Sequence, residues 1–313
     1  RACRSAALVD RSLLRVQRPA EGAPRYDMHE LTRQYATEKL EEAGERESIA
    51  SRHAAYFAEL AEAAEPHLIE TEQRTWLDNL RAALQWTLAH AHAIAIRLCS
   101  AVWRFWWLRG YRAEGSRWFA QVLALPAMRG SEEALELRAK LLQRAGVLLQ
   151  VQGRYAEAAA HYEESLALVR MQEDDVRIAM LLNSMGVLAW DEGQHEHARR
   201  LHEESLELKR LAGHKHGISV SLNNLAIVEH VLGDNERAKA LHEESLALCR
   251  ELGDGEGIAT SVGNLGTIAI DQARWGEAGR LYAESLVLRR DIGDMEGIAD
   301  SLEGLARLAA LAP

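Results

Sequence analysis

A forty-residue period constrains the fold of this chain more than any other feature of its sequence. A small residue returns at this interval without insertion or deletion, as Gly146, Gly186, Ala226, Gly266 and Ala306. A Glu-Ser-Leu sequence returns at the same interval, within residues 163–166, 203–206, 243–246 and 283–286. Such self-similarity is typical of a solenoid, in which each unit buries its apolar face only by stacking on its neighbours.

Each period predicts two helices. In the third copy we expect a first helix over residues 218–231, ending at Gly233, and a second over 235–252, ending at Gly253. Glycine suits both exits because the residue after a helix commonly has a positive φ. Small side chains let the paired helices approach closely, and the leucine of the Glu-Ser-Leu sequence is predicted to fill the space between units. The alanines expected on the second helices are Ala158, Ala198, Ala238 and Ala278, and the leucines are Leu166, Leu206, Leu246 and Leu286.

This pattern resembles the tetratricopeptide repeat in a forty-residue form, without the usual proline after the second helix. The resemblance implies an all-α, right-handed superhelical solenoid. We expect four full copies and a final half over 137–313, preceded by a degenerate copy over 94–136, in which Gly110 aligns with Gly233. The aromatic residues of the degenerate copy either line a ligand pocket or fill a bulky core: Trp103, Phe105, Trp106, Trp107, Trp118 and Phe119.

Charge and cysteine content limit the function classes. The chain has 37 basic and 47 acidic residues, a formal charge of −10, which has the wrong sign for a protein that mainly holds nucleic acid. Cys3, Cys99 and Cys249 lie far apart without a CxxC motif, which favours a reducing, cytoplasmic location over a disulfide or zinc framework. We find no signal peptide and no apolar run of membrane-spanning length, and we expect no membrane partner. Because the chain starts at Arg1, it is expected to be a fragment of a longer protein.

Residues 1–45 have a different pattern from the repeats. Residues 7–16 predict a helix end that runs into a short strand, Pro19 to Pro24 a turn, and residues 25–28 a second strand. A helix is then expected from His29 to near Gly44. This order of helix, hairpin and helix is typical of the end of a winged-helix domain.

The segment 25–36, which contains Met28-His29-Glu30, resembles the end of the winged-helix domain in signal-transducing STAND ATPases of the NB-ARC type. That family has Met-His-Asp here, and its histidine contacts the β-phosphate of bound ADP. The resemblance implies that His29 senses nucleotide in a full-length protein; the alternative is that His29 is only a helix N-terminal residue. No GxxxxGK[ST] phosphate loop occurs, so ADP or ATP is expected only with a nucleotide-binding module upstream. Residues 46–93 predict a linker of two amphipathic helices, and 76–86 resembles the linker of bacterial family members.

Resemblance to the tetratricopeptide repeat implies that the first helices form the inner wall of the superhelix. The residues expected near that wall are Gln143, Arg144, Asn183, Ser184, Trp190, Asp191, Asn223, Asn224, His230, Asn264, Asp271, Glu303 and Arg307. Asparagine is a mediocre helix former, so its recurrence needs a reason. The amides either bind a peptide backbone or bond neighbouring units to each other. Arg144 and Arg307 could add recognition of a carboxylate or phosphate.

Two other patterns suggest chemistry but have structural explanations. His202 and His242 stand where other copies have Tyr162 and Tyr282, which predicts half-buried packing rather than a metal site. The Glu-Glu pairs of the second helices recur in several copies, so they predict a solvated face or an interface rather than a catalytic dyad. No catalytic constellation is evident, and we predict no enzyme activity for this chain.

The resemblance to STAND ATPases implies that the repeats are a sensor. They would bind a peptide, protein or small-molecule inducer that relieves autoinhibition of an upstream ATPase module, with oligomerisation on activation and a transcriptional or defence effector. The alternative is a constitutive peptide-binding scaffold whose first 45 residues are an N-terminal cap. A third possibility is DNA binding by residues 1–45, but no recognition helix is visible there, so we do not expect nucleic acid as a partner of this chain.

Overall fold

The structure is a computed structural model that divides into two compact units, Arg1–Phe105 and Trp106–Pro313. It describes residues 9, 11, 13–17, 25–64 and 73–311. The helix end predicted before the first strand falls largely outside these residues, and the turn at 19–24 and the final two residues do so entirely. The boundaries predicted at residues 45, 93 and 136 stay predictions.

The first unit opens with a two-stranded antiparallel hairpin, Arg15–Gln17 (β1) and Arg25–Asp27 (β2), with Val16 opposite Tyr26. The helix Glu30–Glu42 (α1) follows, and Gly44 has a φ of +68° just beyond its end. The hairpin and the helix therefore have the order and the end that the sequence predicts.

Three longer helices follow: Arg46–Ala64 (α2), Gln73–His90 (α3) and His92–Leu108 (α4). Alanines on α2, including Ala54 and Ala58, are fully buried, as are Leu80 and Leu84 on α3. The Arg97 guanidinium on α4 donates two hydrogen bonds, of 2.7 and 2.6 Å, to the Glu62 carboxylate on α2. Small residues on α2 thus allow close packing, and an ion pair joins α4 to it.

The second unit is a stack of helix pairs. It begins with the last residues of α4, which are followed by Arg112–Leu123 (α5) and a short 3₁₀ turn, Pro126–Met128. The helices that follow are Glu132–Gln150 (α6), Tyr155–Arg170 (α7), Asp175–Asp191 (α8), His195–Leu211 (α9), Lys215–Val231 (α10), Asn235–Leu252 (α11), Gly255–Asp271 (α12), Trp275–Ile292 (α13) and Met295–Leu311 (α14). We call α6–α7, α8–α9, α10–α11 and α12–α13 repeats I to IV, and α14 is the first helix of repeat V.

Repeat III shows how well the helix ends were predicted. Gly233 and Gly253 have φ values of +93° and +69°, and the second helix has the predicted bounds. The first helix starts three residues earlier than expected, at Lys215, because the His214 imidazole accepts the Gly217 N–H at 3.1 Å and caps the helix. Histidine is not among the usual capping residues, so the sequence pattern did not indicate this start.

In repeats I, II and IV, a ring on the second helix lies against the small residue of the first. A methyl group added at Gly186 would lie 2.6 Å from the His202 ring, and one at Gly266 would lie 3.1 Å from the Tyr282 ring. The four alanines of the second helices are fully buried. These contacts confirm the predicted close approach of the paired helices.

Leucines and ion pairs join successive repeats. Leu206 packs against apolar residues of α10, including Leu222, and Leu246 packs against Val262 of α12. The glutamate before the serine faces an arginine of the preceding repeat in repeats II, III and IV, whereas in repeat I Glu164 pairs with Arg138 of its own repeat. The pairs are Arg170–Glu204 at 3.9 Å, Arg210–Glu244 at 2.6 Å and Arg250–Glu284 at 3.8 Å. These glutamates therefore belong to an interface, one of the two roles that their recurrence predicted.

The aromatic residues of the predicted degenerate copy serve mainly as core. Phe105, Trp106 and Phe119 are buried. The Trp106 and Phe119 rings meet edge to face with centroids 5.9 Å apart, and the Trp118 indole N–H donates to Glu114 at 3.3 Å. None of the helices in the described part of the chain is long and apolar enough to cross a membrane.

Candidate ligand groove

The first helices of the repeats form one continuous wall. Main chains of successive first helices (α6, α8, α10, α12 and α14) approach each other more closely than those of the second helices. A stack of helix pairs curves toward the side on which its helices are closer, so the first helices lie on the inner, concave side. We call the surface of these five helices the groove.

Amide side chains of the groove bond across the repeats. The Asn224 amide donates to the Asn183 carbonyl oxygen at 3.1 Å, and Asn264 donates to Asn223 at 3.3 Å. Gln143 of repeat I donates to the Ser184 hydroxyl of repeat II at 3.4 Å. We call these three bonds between first helices the amide ladder. The ladder thus joins neighbouring repeats, which is one of the two roles predicted for the asparagines.

The ladder leaves capacity for a ligand. A primary amide has two N–H donors and an oxygen with two acceptor sites, and each inter-repeat bond uses one donor of one partner. Asn183, Asn223, Asn224 and Asn264 are all half-buried rather than sealed from solvent. Their second predicted role, contact with a bound backbone, therefore stays a prediction.

A second set of predicted residues pairs at the C-terminal ends of the first helices. Gln150 donates to Asp191 at 2.7 Å. The Asp271 carboxylate accepts from Arg307 at 2.7 Å and lies 3.1 Å from Nε2 of His230. Three repeats thus meet at Asp271, and the side chains of His230 and Arg307 are both directed at its carboxylate.

The remaining predicted residues lie apart from these pairs. The Trp190 ring packs 4.7 Å from the His195 ring, at the turn between α8 and α9. Arg144 is half-buried on α6, and Glu303 is exposed on α14. The predicted residues therefore form a band along several repeats and do not converge on one compact pocket.

Exposed apolar side chains of the groove were missed from the sequence. Met180 is 47% exposed and Val220 is 39% exposed, and Thr260 occupies the same repeat position. Methionine and valine in a helix normally indicate core, so only the alignment of the repeats could have placed both on the inner wall. They give the groove an apolar strip beside the amide ladder.

Two clefts open on this face, and both were also missed. The first has a volume of about 280 Å³ and lies between α10 and α12; its lining includes Val220, Asn223, Asn224, Cys249 and Ser261. The second, of about 260 Å³, lies between α12 and α14, and its lining includes Asn264, Tyr282, Arg289, Glu303 and Arg307. Five of the predicted residues line one of these clefts.

His202 and His242 differ from their predicted half-buried state. Each side chain is 1% exposed, because each ring fills the space between the two helices of its repeat. Burial, together with nearby Lys209, lowers the pKa of His202 to about 4, and burial lowers that of His242 to about 3. Both are therefore neutral core residues at pH 7. Within the ranges the structure describes, no group of three His, Cys, Asp or Glu residues is arranged to hold a metal ion.

His29 immediately precedes α1. It is exposed, has extended backbone angles and makes no side-chain capping bond. The residues present do not form a nucleotide site around it, since the sequence has no phosphate loop. His29 could only complete a site supplied by another module.

The helix pairs and the spacing of the repeats agree with comparison to known families. Residues 132–210 and 217–291 match the family model named "Tetratricopeptide repeat". These residues are tetratricopeptide repeats. Over 123 residues the chain is 36% identical to a protein of Mycobacterium tuberculosis named "Putative HTH-type transcriptional regulator", and equally to its Mycobacterium bovis counterpart. The match covers 37% of this chain but only 14% of the length of these relatives.

Solved structures share the tetratricopeptide repeat architecture. A Rap protein complexed with Competence and Sporulation Factor has a TM-score of 0.59 at 12% identity, covering 89% of this chain and 86% of that one. The Rap conjugation gene regulator of plasmid pLS20, in complex with the Phr* peptide, has a TM-score of 0.58 at 12% identity, covering 79% and 78%. BtubC from P. vanneervenii has a TM-score of 0.53 at 17% identity, covering 79% and 91%. At these identities the similarity shows the fold alone.

Proposed function

We propose that the groove binds an extended peptide, or an extended segment of a protein, and that the chain is the sensing part of a transcriptional regulator. The observation that carries the proposal is the pairing of an exposed apolar strip, Met180 and Val220, with a half-buried amide ladder on one concave wall. Apolar side chains supply burial, and amides can both donate to and accept from a peptide backbone. The Rap structures with bound factor or peptide and the mycobacterial regulators support this class of function.

Two exposed valines test the groove. Val220 is 39% exposed on the inner wall, and Val287 is 46% exposed on a second helix. We expect Val220→Glu to abolish binding of peptides selected by the chain from a random dodecapeptide phage library, measured by calorimetry. Val287→Glu should leave binding unchanged, because it adds the same charge away from the groove. Equal effects of both substitutions, or of neither, would contradict a groove site.

The finer proposal is that the groove controls a STAND-type switch. An inducer can shift such a switch only if it binds the open state more tightly than the closed state. Support comes from the hairpin followed by a helix with His29 at its start. The constitutive scaffold remains the rival function, because it needs the same groove but no switch.

Gene context and one substitution separate the switch from the scaffold. If the switch exists, the reading frame upstream of Arg1 encodes a GxxxxGK[ST] phosphate loop. In that longer protein, His29→Ala should weaken retention of ADP, and in the chain Arg1–Pro313 it should leave peptide binding unchanged. An upstream sequence without a phosphate loop would leave only the scaffold.

A further inference from the structure

One buried position of the second helices differs from repeat to repeat. Its occupants are Val169, Lys209, Cys249 and Arg289. Lys209 is 4% exposed and Arg289 is 7% exposed, so both bury a long cationic side chain. Cys249 is also buried, but its short side chain leaves the cleft of about 280 Å³ that opens on the groove.

The Lys209 side chain shows what this position can hold. Its ammonium donates to the Ser221 hydroxyl at 2.7 Å, and that hydroxyl lies 3.4 Å from the Asn183 carbonyl oxygen. The alkyl chain runs past Gly217, where an added methyl would lie 3.1 Å from Cδ of Lys209. Burial lowers the pKa of Lys209 to about 8, which still leaves it mostly protonated at neutral pH.

Arg289 is held in a related way two repeats later. Its guanidinium donates to the Asp300 carboxylate at 3.1 Å. The alkyl chain runs past Gly297, where a methyl would lie 2.7 Å from Cδ of Arg289. In both repeats a cationic side chain thus crosses a glycine at the start of the next first helix.

The repeat between them keeps these surroundings but lacks the cation. Ser261, Asn223 and Gly257 take the places of Ser221, Asn183 and Gly217, and all three line the open cleft. Ser261 donates to Ser245 at 3.3 Å, so its oxygen can still accept a hydrogen bond. Where valine stands instead, at 169, the corresponding residues are Leu181, Gln143 and Arg177. Across the four repeats, the serine equivalent to Ser221 and the glycine equivalent to Gly217 therefore occur only where the buried position holds Lys209, Arg289 or Cys249.

The charges around the cleft favour a cation. Asp254 and Glu256 both line it, and Asp254 caps α12 by accepting the Gly257 N–H at 3.0 Å. Beside Lys209 the equivalent cap is His214, so the open cleft has a carboxylate that the filled one lacks. His216 also lines the cleft, 3.6 Å from Asp254, and is the only basic residue in its lining.

We propose that this cleft is a subsite for a lysine or arginine side chain of a peptide bound in the groove. The guest cation takes the place that Lys209 and Arg289 fill from within the chain, with Ser261, Asp254 and Glu256 as acceptors. The subsite rests on the proposed function, since the peptide must lie in the groove to reach it.

A small cation tests the subsite without any peptide. The probe is n-butylammonium, with n-butanol as the uncharged control, titrated into the ¹⁵N-labelled chain and followed at the amides of Gly257 and Ser261. Wild type and Cys249→Ser should respond to the cation and not to the alcohol. Cys249→Lys should not respond, because its own ammonium fills the cleft as Lys209 does. An equal response to both probes, or an unchanged response in Cys249→Lys, overturns the subsite.

Peptides test the same site in its proposed setting. Dodecapeptides selected by wild type from the phage library should carry Lys or Arg at one fixed position. Replacing that residue with norleucine should weaken binding to wild type about tenfold, the scale of one charge-assisted bond, and leave binding to Cys249→Lys unchanged. The melting temperature of Cys249→Lys, at least equal to that of Cys249→Ser, serves as the folding control.

The two experiments separate failure of the subsite from failure of the groove. Selection of peptides without a basic preference overturns the subsite and leaves peptide binding intact. Selection of no peptide at all, with a specific response to n-butylammonium, overturns the proposed peptide function and leaves the cation subsite standing.

Discussion

At the residue scale, the ring position of the second helix is matched to the small residue that faces it. Tyr162 and Tyr282 lie against glycine, as does His202, whereas in the repeat of His242 the equivalent of that glycine is Ala226, and both residues are buried. The alanine methyl takes up space that glycine leaves for a larger ring. His202 and His242 look equivalent in the sequence, but Gly186 leaves more space for a ring at position 202 than Ala226 leaves at position 242.

Phenylalanine distinguishes the two histidines. We expect His202→Phe to be tolerated, because Gly186 leaves room and phenylalanine lacks a hydroxyl that would need a partner. His242→Phe should lower the free energy of unfolding by about 1–3 kcal/mol through overpacking against Ala226. Urea unfolding at pH 8 measures both, and adding Ala226→Gly should restore the stability of His242→Phe. A similar loss in both single variants would contradict this account.

The same histidines should make stability depend on pH. Their folded pKa values, about 4 and about 3, lie below the ordinary histidine pKa of 6.5, so between these limits the unfolded chain binds more protons. Stability is therefore complete above pH 6.5 and falls as the pH is lowered, by about 2 kcal/mol per histidine at pH 5. His202→Phe should lose about 2 kcal/mol less than wild type between pH 7 and pH 5 in urea unfolding. An identical loss would show that other groups cause the acid sensitivity.

At the element scale, a buried serine in each second helix ties the two helices of a repeat together. The hydroxyls of Ser165, Ser205, Ser245 and Ser285 donate to carbonyl oxygens of Ala139, Ala179, Ser219 and Ala259 at 2.7–2.9 Å. Three of these serines also meet a serine of the next first helix, at 3.1–3.3 Å. The invariant serine of the Glu-Ser-Leu sequence therefore has a structural role.

The first and second serines offer a matched comparison. Ser205 bonds both Ala179 and Ser221, whereas Ser165 bonds only Ala139, because Leu181 replaces the partner serine. We expect Ser165→Ala to cost about 1 kcal/mol and Ser205→Ala about 2 kcal/mol, since a buried hydrogen bond contributes about 1 kcal/mol net. Thermal unfolding of the two variants measures the difference. If Ser165→Ala lost more stability than Ser205→Ala, the bond from Ser205 to Ser221 of the next repeat would not contribute as we expect.

At the scale of the whole molecule, stacking decides which apolar residues are buried. Leu142, Leu182 and Leu222 are at most 2% exposed, but Leu302, at the same position of α14, is 51% exposed. Ala306 is likewise exposed, although its four counterparts meet a second helix. α14 packs on α13, but the described part of the chain has no second helix after α14, so the face with Leu302 and Ala306 stays open.

Paired substitutions measure the effect of stacking. For the chain Arg1–Pro313, Leu302→Gln should change the melting temperature little, because the side chain already meets water. Leu222→Gln should destabilise by several kcal/mol, because it buries an amide in place of a packed leucine. Differential scanning fluorimetry suffices for the comparison. A marked loss in Leu302→Gln would mean that α14 is covered in solution.

Much of the fold follows from the sequence alone. The period, the two helices of each repeat and the glycine exits at Gly233 and Gly253 follow from local rules, because small, apolar and helix-ending residues act within one helix or between paired helices. The leucines between repeats were placed for the same reason. The early start of α10 was not predicted, because it depends on an unusual cap by His214.

The candidate site depended more on tertiary structure. Sequence comparison placed Asn183, Asn224 and their counterparts on the inner wall, but only stacking shows that residues 41 positions apart bond to each other. A cysteine by itself gives no sign of a cavity; the cleft at Cys249 exists because α10, α11 and α12 hold open the space that Lys209 fills one repeat earlier. The sequence by itself determined a stack of helix pairs, because the period repeats the same local pattern. The tertiary structure alone decided which equivalent positions are bonded, buried or open, because that depends on neighbours distant in sequence.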